Sequence, residues 1–437
     1  MKNTGSFIRN VLLLLIIIVI LFLVSNYYLK KFQMSWGTAL VRGSVLVLLL
    51  FLISLLIRYI VILVLAFLQH AKFLNNTSSS DYTPYVSIIV PTYNEGKVIQ
   101  QSLMSLLKLN YPAYEIIVVD DGSTDDTFQR AKALVADYGN VTVKLISQPN
   151  QGKARALNTG INYAQGEIIV CMDGDSRLEP QSLKRGVRHF RNPKVGAVAG
   201  NVKVVNRNKL LTRLQALEYV EGLNMPRRSQ GLFNLVNIVP GPMGIFRKKA
   251  LADVGYYSWD TFAEDCDLTL KLLAADWKVK YEPLAISWTE APEKWTDLLK
   301  QRYRWTRGIL QSVGKHKSAL FNPTKFGYCC ILWWMVYEVL IWPGMNVFGN
   351  LFFILVAFLF GLSPLLFFWW LLLTLLDMTA ALFSINAERE ATVLLPYSIL
   401  YRLFFILVVD VCKVLASIEE FIGVRMTWGK LVRMGRI

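Results

Sequence analysis

The chain has 437 residues, with 47 Lys and Arg against 31 Asp and Glu, and a formal net charge of +16. Hydrophobic residues make up 54% and charged residues 18%, against roughly 45–50% and about 25% in soluble globular domains. The apolar excess lies at the two ends, which excludes an ordinary cytosolic enzyme, a disordered tail protein and a collagen-like chain, and the length accommodates one substantial soluble domain plus several membrane spans.

The first apolar run covers 7–28, and its core from Val11 to Val24 carries no charge. A span needs about 20 such residues. Lys2 and Arg9 precede the run, as in a signal peptide, but no small-residue cleavage site follows, so the pattern predicts an anchor. A second run, 44–69, contains Arg58, which can snorkel or face another helix. Residues 1–71 therefore read as two transmembrane helices.

Between 72 and 300 the pattern alternates. Short apolar runs at 86–90, 114–120, 141–146 and 167–172 predict strands, and stretches at 95–109, 124–137 and 153–164 predict helices. Such alternation means βαβ units and a mostly parallel sheet, with ligands beyond the carboxyl ends of the strands. Residues 301–326 read as a basic interfacial stretch. Apolar character returns over 327–416, punctuated at Pro343-Gly344, 361–364 and 386–390, which suggests about four spans (327–342, 345–361, 364–384 and 393–416). The tail 417–437 carries Arg425, Lys430, Arg433 and Arg436, so the positive-inside rule puts it on the cytoplasmic side. An even number of spans after 326 puts both ends of the middle domain on that side too. Arg58, Glu338, Asp377, Arg402 and Asp410 are expensive in lipid and should face the bundle interior, lining a polymer path or pairing between helices.

Five Cys and three His, with no zinc-ribbon or C-x-x-C spacing, argue against a disulfide framework and leave little for metal-thiolate chemistry. Positive-inside loops and an anionic leaflet account for the basic balance, and no nucleic-acid-binding motif is present, so nucleic acid is not an expected partner.

The polar motifs follow the expected strands. Thr92-Tyr-Asn-Glu95 follows the first, and Asp120-Asp121-Gly-Ser-Thr124 the second. Asp121 can accept from a nucleobase or ribose, or it can serve only the turn and helix cap. Gly152-Lys-Ala-Arg155 opens a helix where a diphosphate could sit, although a lone basic pair is more often a solvated face. Asp173-Gly-Asp175 follows the fourth strand. Two such carboxylates can hold Mg²⁺ or Mn²⁺ with substrate phosphates, or form a solvated turn. Glu264 and Asp265 open a further helical run, as dipole-favoured charges or as a general base. Gln301-Arg-Tyr-Arg-Trp305 offers an arginine for a diphosphate and an indole face for a sugar, or an amphipathic interfacial helix.

In this order the motifs resemble those of inverting, processive family-2 glycosyltransferases of the GT-A type. The likeness covers about 85–310 by motif. Gln-x-x-Arg-Trp after a Glu-Asp pair is its specific part and marks membrane polysaccharide synthases. Within that group the chain is most similar to poly-N-acetylglucosamine synthases, with hyaluronan and chitin synthases as relatives. The implied architecture is a Rossmann-like α/β GT-A cytoplasmic domain flanked by transmembrane α-helices, in a multi-pass protein of the inner (plasma) membrane.

The resemblance also implies roles. Thr92, Asn94, Glu95, Asp121, Lys153 and Asp173 would bind the nucleotide sugar, with Asp121 on uracil and Lys153 on the diphosphate. Asp173 and Asp175 would hold the metal. Asp265 would be the base, with Glu264 beside it. Gln301, Arg304 and Trp305 would hold diphosphate and acceptor. The partners would be a UDP-sugar donor, most simply UDP-N-acetylglucosamine, a growing polysaccharide acceptor, the lipid bilayer and a small accessory membrane subunit. Alternatives are a single-sugar transferase acting on a lipid carrier and a non-enzymatic membrane scaffold. Two departures bear on the acceptor: Ala263 stands where the family has threonine, and Pro240-Gly-Pro-Met-Gly244 replaces a smaller segment. Thr427-Trp-Gly-Lys430 partly resembles the gating segment of hyaluronan synthases.

Overall fold

A computed structural model describes residues 39–75, 82–360, 364–424 and 435. The expected span at 7–28 and the segment Thr427–Lys430 lie outside these residues. The chain divides into two compact units, 1–57 with 348–376, and 58–347 with 377–437. The second contains the sheet and every candidate site residue.

Eight strands build the sheet: β1 (Val86–Thr92), β2 (Tyr114–Asp120), β3 (Val141–Ser147), β4 (Ile168–Cys171), β5 (Ser176–Leu178), β6 (Val195–Val204), β7 (Gly244–Arg247) and β8 (Lys278–Thr289). Their order is β3-β2-β1-β4-β7-β6-β8-β5. The first four are parallel, with Val86 opposite both Tyr114 and Ile168. β7 is antiparallel to both β4 and β6. β8 is parallel to β6 and antiparallel to β5. The sheet is therefore mixed: four of its seven strand pairings are parallel, and β7 and β5 run against the other strands. Strand–helix alternation reports only the first half, because β7 reaches β4 after a long excursion that leaves no local periodicity.

Every residue of β1 and β2 is buried, as a sheet covered on both faces requires. Ile88, Val90, Ile116 and Val118 pack on one face with Leu103 and Leu106 of helix α1 (Ile99–Leu106). Ile89, Ile117 and Val119 pack on the other with Ala156, Leu157 and Ile161 of helix α2 (Lys153–Tyr163). Each such side chain contributes about 1.5–3 kcal/mol of apolar burial. This packing fixes where the strand ends, and hence the polar loops, emerge.

Two helical stretches among the described residues, Ile53–Asn75 and Pro323–Phe352, are long and apolar enough to cross a bilayer. The expected break at Pro343-Gly344 is absent. Phe326–Val336, a π-turn at Tyr337–Ile341 and Trp342–Phe360 form one helical run in place of two spans. Proline strips a partner from the carbonyl one turn earlier, and the wider π-turn just before Pro343 absorbs that loss. The charges in these apolar segments find partners within the protein. Arg58 meets Glu338 at 2.6 Å, Arg402 meets Asp377 at 3.3 Å, and Asn346 donates to Asp410 at 2.8 Å.

The segment after helix Pro364–Ala387 anchors on the sheet. Arg228 (1% exposed) and Glu388 (4% exposed) form a pair at 2.7 Å. Glu388 also accepts from Asn201 of β6 at 2.6 Å and Tyr281 of β8 at 3.2 Å. Truncating one partner of such a pair leaves an uncompensated buried charge. Glu388→Ala should therefore cost about 3–5 kcal/mol of stability, read as a lowered melting temperature of the purified chain.

Candidate active site

The loops beyond β1 and β2 brace each other. Asn94, at φ 51°, accepts from Thr124 N at 2.7 Å, and its own N–H donates to Ser123 Oγ at 2.9 Å. Glu95 N–H donates to Thr127 Oγ1 at 2.7 Å. Thr92 is buried, and its carbonyl accepts from Asp121 N at 2.9 Å. Asp121 is also buried and gathers the loop after β3. Its carboxylate accepts from Gln148 Nε2 at 2.7 Å, Gln151 N at 3.0 Å and Gly152 N at 2.8 Å. Three of about four acceptor directions are thus engaged, which leaves room for one more donor.

The centre of the site is Lys153, the first residue of α2. Its ammonium lies 2.6 Å from Asp173 and 3.1 Å from Glu264. Burial works against the charged form, but Asp173 and then Glu264 outweigh it and raise the lysine pKa above its ordinary value. Asp173 follows β4, whereas Glu264 and Asp265 open helix α3 (Glu264–Ala274). Asp265 accepts from Cys266 N at 2.8 Å. Burial and the neighbouring Glu264 push its carboxyl up to about 6, with Lys153 pulling in the other direction. A carboxyl poised there can take a proton near neutrality. Asp175 is buried, 1% exposed, two residues beyond Asp173.

No three acidic, His or Cys side chains among the described residues form a ready cage for a metal. Two carboxylates plus substrate phosphates are the usual donor set for Mg²⁺ or Mn²⁺, and Asp173 and Asp175 fit that chemistry.

Gln301, Arg304 and Trp305 share one face of helix α4 (Trp295–Lys315), as i, i+3 and i+4 spacing dictates. Gln301 is buried and accepts from Arg302 at 2.6 Å. Arg302 pairs with Glu218 and lies 4.2 Å from the Trp305 ring centroid. Trp305 lines a cavity of about 220 Å³ together with Glu221, Trp334, Glu338, Tyr401 and Lys413. Glu221 is buried, and its Oε2 has no hydrogen-bond partner among the described residues.

Residues 87–255 match the family described as glycosyl transferase family 2. The chain carries a family-2 glycosyltransferase domain. Relatives of the chain include the poly-beta-1,6-N-acetyl-D-glucosamine synthase of Staphylococcus epidermidis, 38% identical over 226 residues (51% of this chain and 54% of that protein). The enzyme of the same name from Staphylococcus aureus strain COL is 36% identical over 224 residues, again 51% and 54% of the two chains. The match spans about half the length of each relative. Among solved structures, a mannosyltransferase from Pyrobaculum calidifontis in complex with GDP-Man and Mn²⁺ is similar, with a TM-score of 0.60 and 21% identity over 86% of this chain and all of that one. That likeness shows a GT-A fold.

Sequence reading missed Glu218, Arg302 and Gly241. Glu218 and Arg302 are 84 positions apart, beyond any local pattern. Gly241 lies in the departing segment Pro240–Gly244. A Cβ there would stand 2.8 Å from Lys153 Nζ and 3.0 Å from Asp173 Oδ1. Gly241→Val should push the two apart and weaken UDP affinity by about tenfold or more, as loss of a hydrogen bond to a charged group does. Calorimetric titration of UDP into the purified chain reads it.

Proposed function

We propose that the chain is an inverting, processive glycosyltransferase. It polymerises a UDP-sugar, UDP-N-acetylglucosamine, into a β-linked exopolysaccharide and moves the product across the inner (plasma) membrane, with the domain on the cytoplasmic side. The observation that carries this reading is the meeting of Lys153, Asp173, Glu264 and Asp265 in one charged cluster next to the helix that bears Gln301, Arg304 and Trp305. The names of the staphylococcal relatives support the sugar. The two long apolar helices support the membrane.

In this reading Asp121 takes the remaining donor of the uracil, with Thr92, Asn94 and Glu95 shaping that end of the site. Lys153 exchanges carboxylates for the donor diphosphate. Gln301 and Arg304 hold that diphosphate, and Trp305 stacks on the acceptor sugar. The acceptor hydroxyl oxygen attacks the anomeric carbon while its proton passes to Asp265. The bond to the UDP oxygen breaks on the opposite face, so an α-linked donor yields a β-linked product. Asp173 and Asp175 would hold Mg²⁺ or Mn²⁺, which when bound supplies positive charge to the leaving diphosphate.

Purified protein given radiolabelled UDP-N-acetylglucosamine alone should make a high-molecular-weight product that a poly-N-acetylglucosamine hexosaminidase digests. A requirement for UDP-glucuronate would move the assignment to hyaluronan, and label confined to a small lipid-soluble product would replace polymerisation with lipid-carrier transfer. Asp265→Asn should lower transfer by about 100-fold or more, the contribution of a general base, with UDP affinity nearly unchanged. The base must be ionised to act, and its pKa is raised to about 6. Transfer should therefore fall as pH drops through that value, by about tenfold per unit below it. Chelation by EDTA should weaken UDP binding, with Mg²⁺ or Mn²⁺ restoring it. Unchanged binding would remove the metal from the site.

A further inference from the structure

Helix α3, which carries Asp265, starts without a capping side chain, because Ala263 occupies its N-cap. A second helix instead holds the segment that leads into it. Phe262 N–H donates to Gln311 Oε1 of α4 at 3.1 Å. Thr261 Oγ1 donates to Gly308 O at 3.3 Å and accepts from Ala263 N at 3.3 Å. The two segments touch closely, since a Cβ on Gly308 would stand 2.5 Å from Ala263 N.

Gln311 is held in turn from the far end of the chain. Its Nε2 donates at 3.2 Å to Glu420 Oε2, on helix α5 (Ile406–Phe421). The same carboxylate takes Arg307 Nε at 2.6 Å, and Arg307 Nη2 donates to Val424 O at 2.6 Å. Helix α5 also walls the cavity beside Trp305, through Ile406, Val409, Asp410 and Lys413. One helix thus contacts the acceptor side of the site at its start and the segment bearing Asp265, through one glutamine, at its end.

We propose that Gln311 and Glu420 are positioning residues that fix the aim of Asp265 by tying the segment 261–265 to the C-terminal helix. The inference rests on the reading of Asp265 as the base. The glutamine suits this place because it accepts from the Phe262 amide on one side and donates to Glu420 on the other. Near-attack geometry is demanding: a displacement of about 1 Å can cost about 100-fold in rate.

The test uses the full chain and a swap. Gln311→Glu keeps an acceptor for Phe262 N–H but sets a second carboxylate against Glu420 in place of the amide donor. Gln311→Glu combined with Glu420→Gln restores the link with its direction reversed, because the introduced amide at 420 donates to the introduced carboxylate at 311. Two readouts apply: amide hydrogen exchange over 258–266, and the split between kcat and donor affinity.

Gln311→Glu should speed exchange over that segment by about tenfold and lower kcat by about tenfold to 100-fold with donor Kd nearly unchanged. The double variant should recover most of both. Gln311→Met, of similar volume, should behave as the single variant does, which separates the lost link from the added charge. Unchanged exchange in Gln311→Glu and Gln311→Met, or a double variant no nearer to the parent, would overturn the proposal. A donor Kd that weakens in step with kcat would do the same, by pointing to general structural damage. Exchange needs no sugar transfer, so an inactive parent protein would sink the reading of Asp265 while the exchange data still judged the link.

Discussion

One ammonium group holds the candidate site together. Lys153 draws the loop after β4 and the start of α3 to the start of α2 through Asp173 and Glu264. Without that cation three carboxylates, Asp173, Glu264 and Asp265, would crowd one small volume. Like charges roughly 4 Å apart repel by about 4 kcal/mol at an effective dielectric constant of about 20. The same balance makes the site responsive. Any anion that drew Lys153 away would leave the carboxylates in need of another positive partner, so in the proposed reading nucleotide phosphates and a divalent cation would reinforce each other here.

The balance depends on packing that puts the strand ends in line. β1, β2 and β4 are parallel and in register, so their polar loops emerge at one edge. Apolar side chains alternate strictly between two buried layers, and a slip of one residue would turn each into the wrong layer. The mixed half of the sheet adds what a purely parallel one could not. β7 returns antiparallel against β4 and brings the Pro240–Gly244 segment over Lys153, where a side chain at 241 would press on the Lys153–Asp173 pair.

Around the domain, charge is managed by pairing. Arg58 with Glu338, Arg402 with Asp377 and Arg228 with Glu388 each satisfy a group that could not stand alone in apolar surroundings. The pairing expected between helices is present, and Arg58, Glu338 and Asp410 also line the cavity. Helix α5 serves both purposes, with Asp410 at the cavity and Glu420 beside α4.

Sequence alone determined the parts of this protein that depend on near neighbours. The strand–helix alternation from Val86 to Met172, the turn residues after each strand, and the shared face of Gln301, Arg304 and Trp305 all follow from periods of two and 3.6, which local chemistry sets. Tertiary structure decided what depends on distant neighbours. It turned β5 and β7 against the other strands, carried a helix through Pro343 by a π-turn, joined Glu218 to Arg302, and made Gln311 the partner of Phe262. Those partners are brought together by packing between elements, and no residue carries a local mark of a neighbour many positions away.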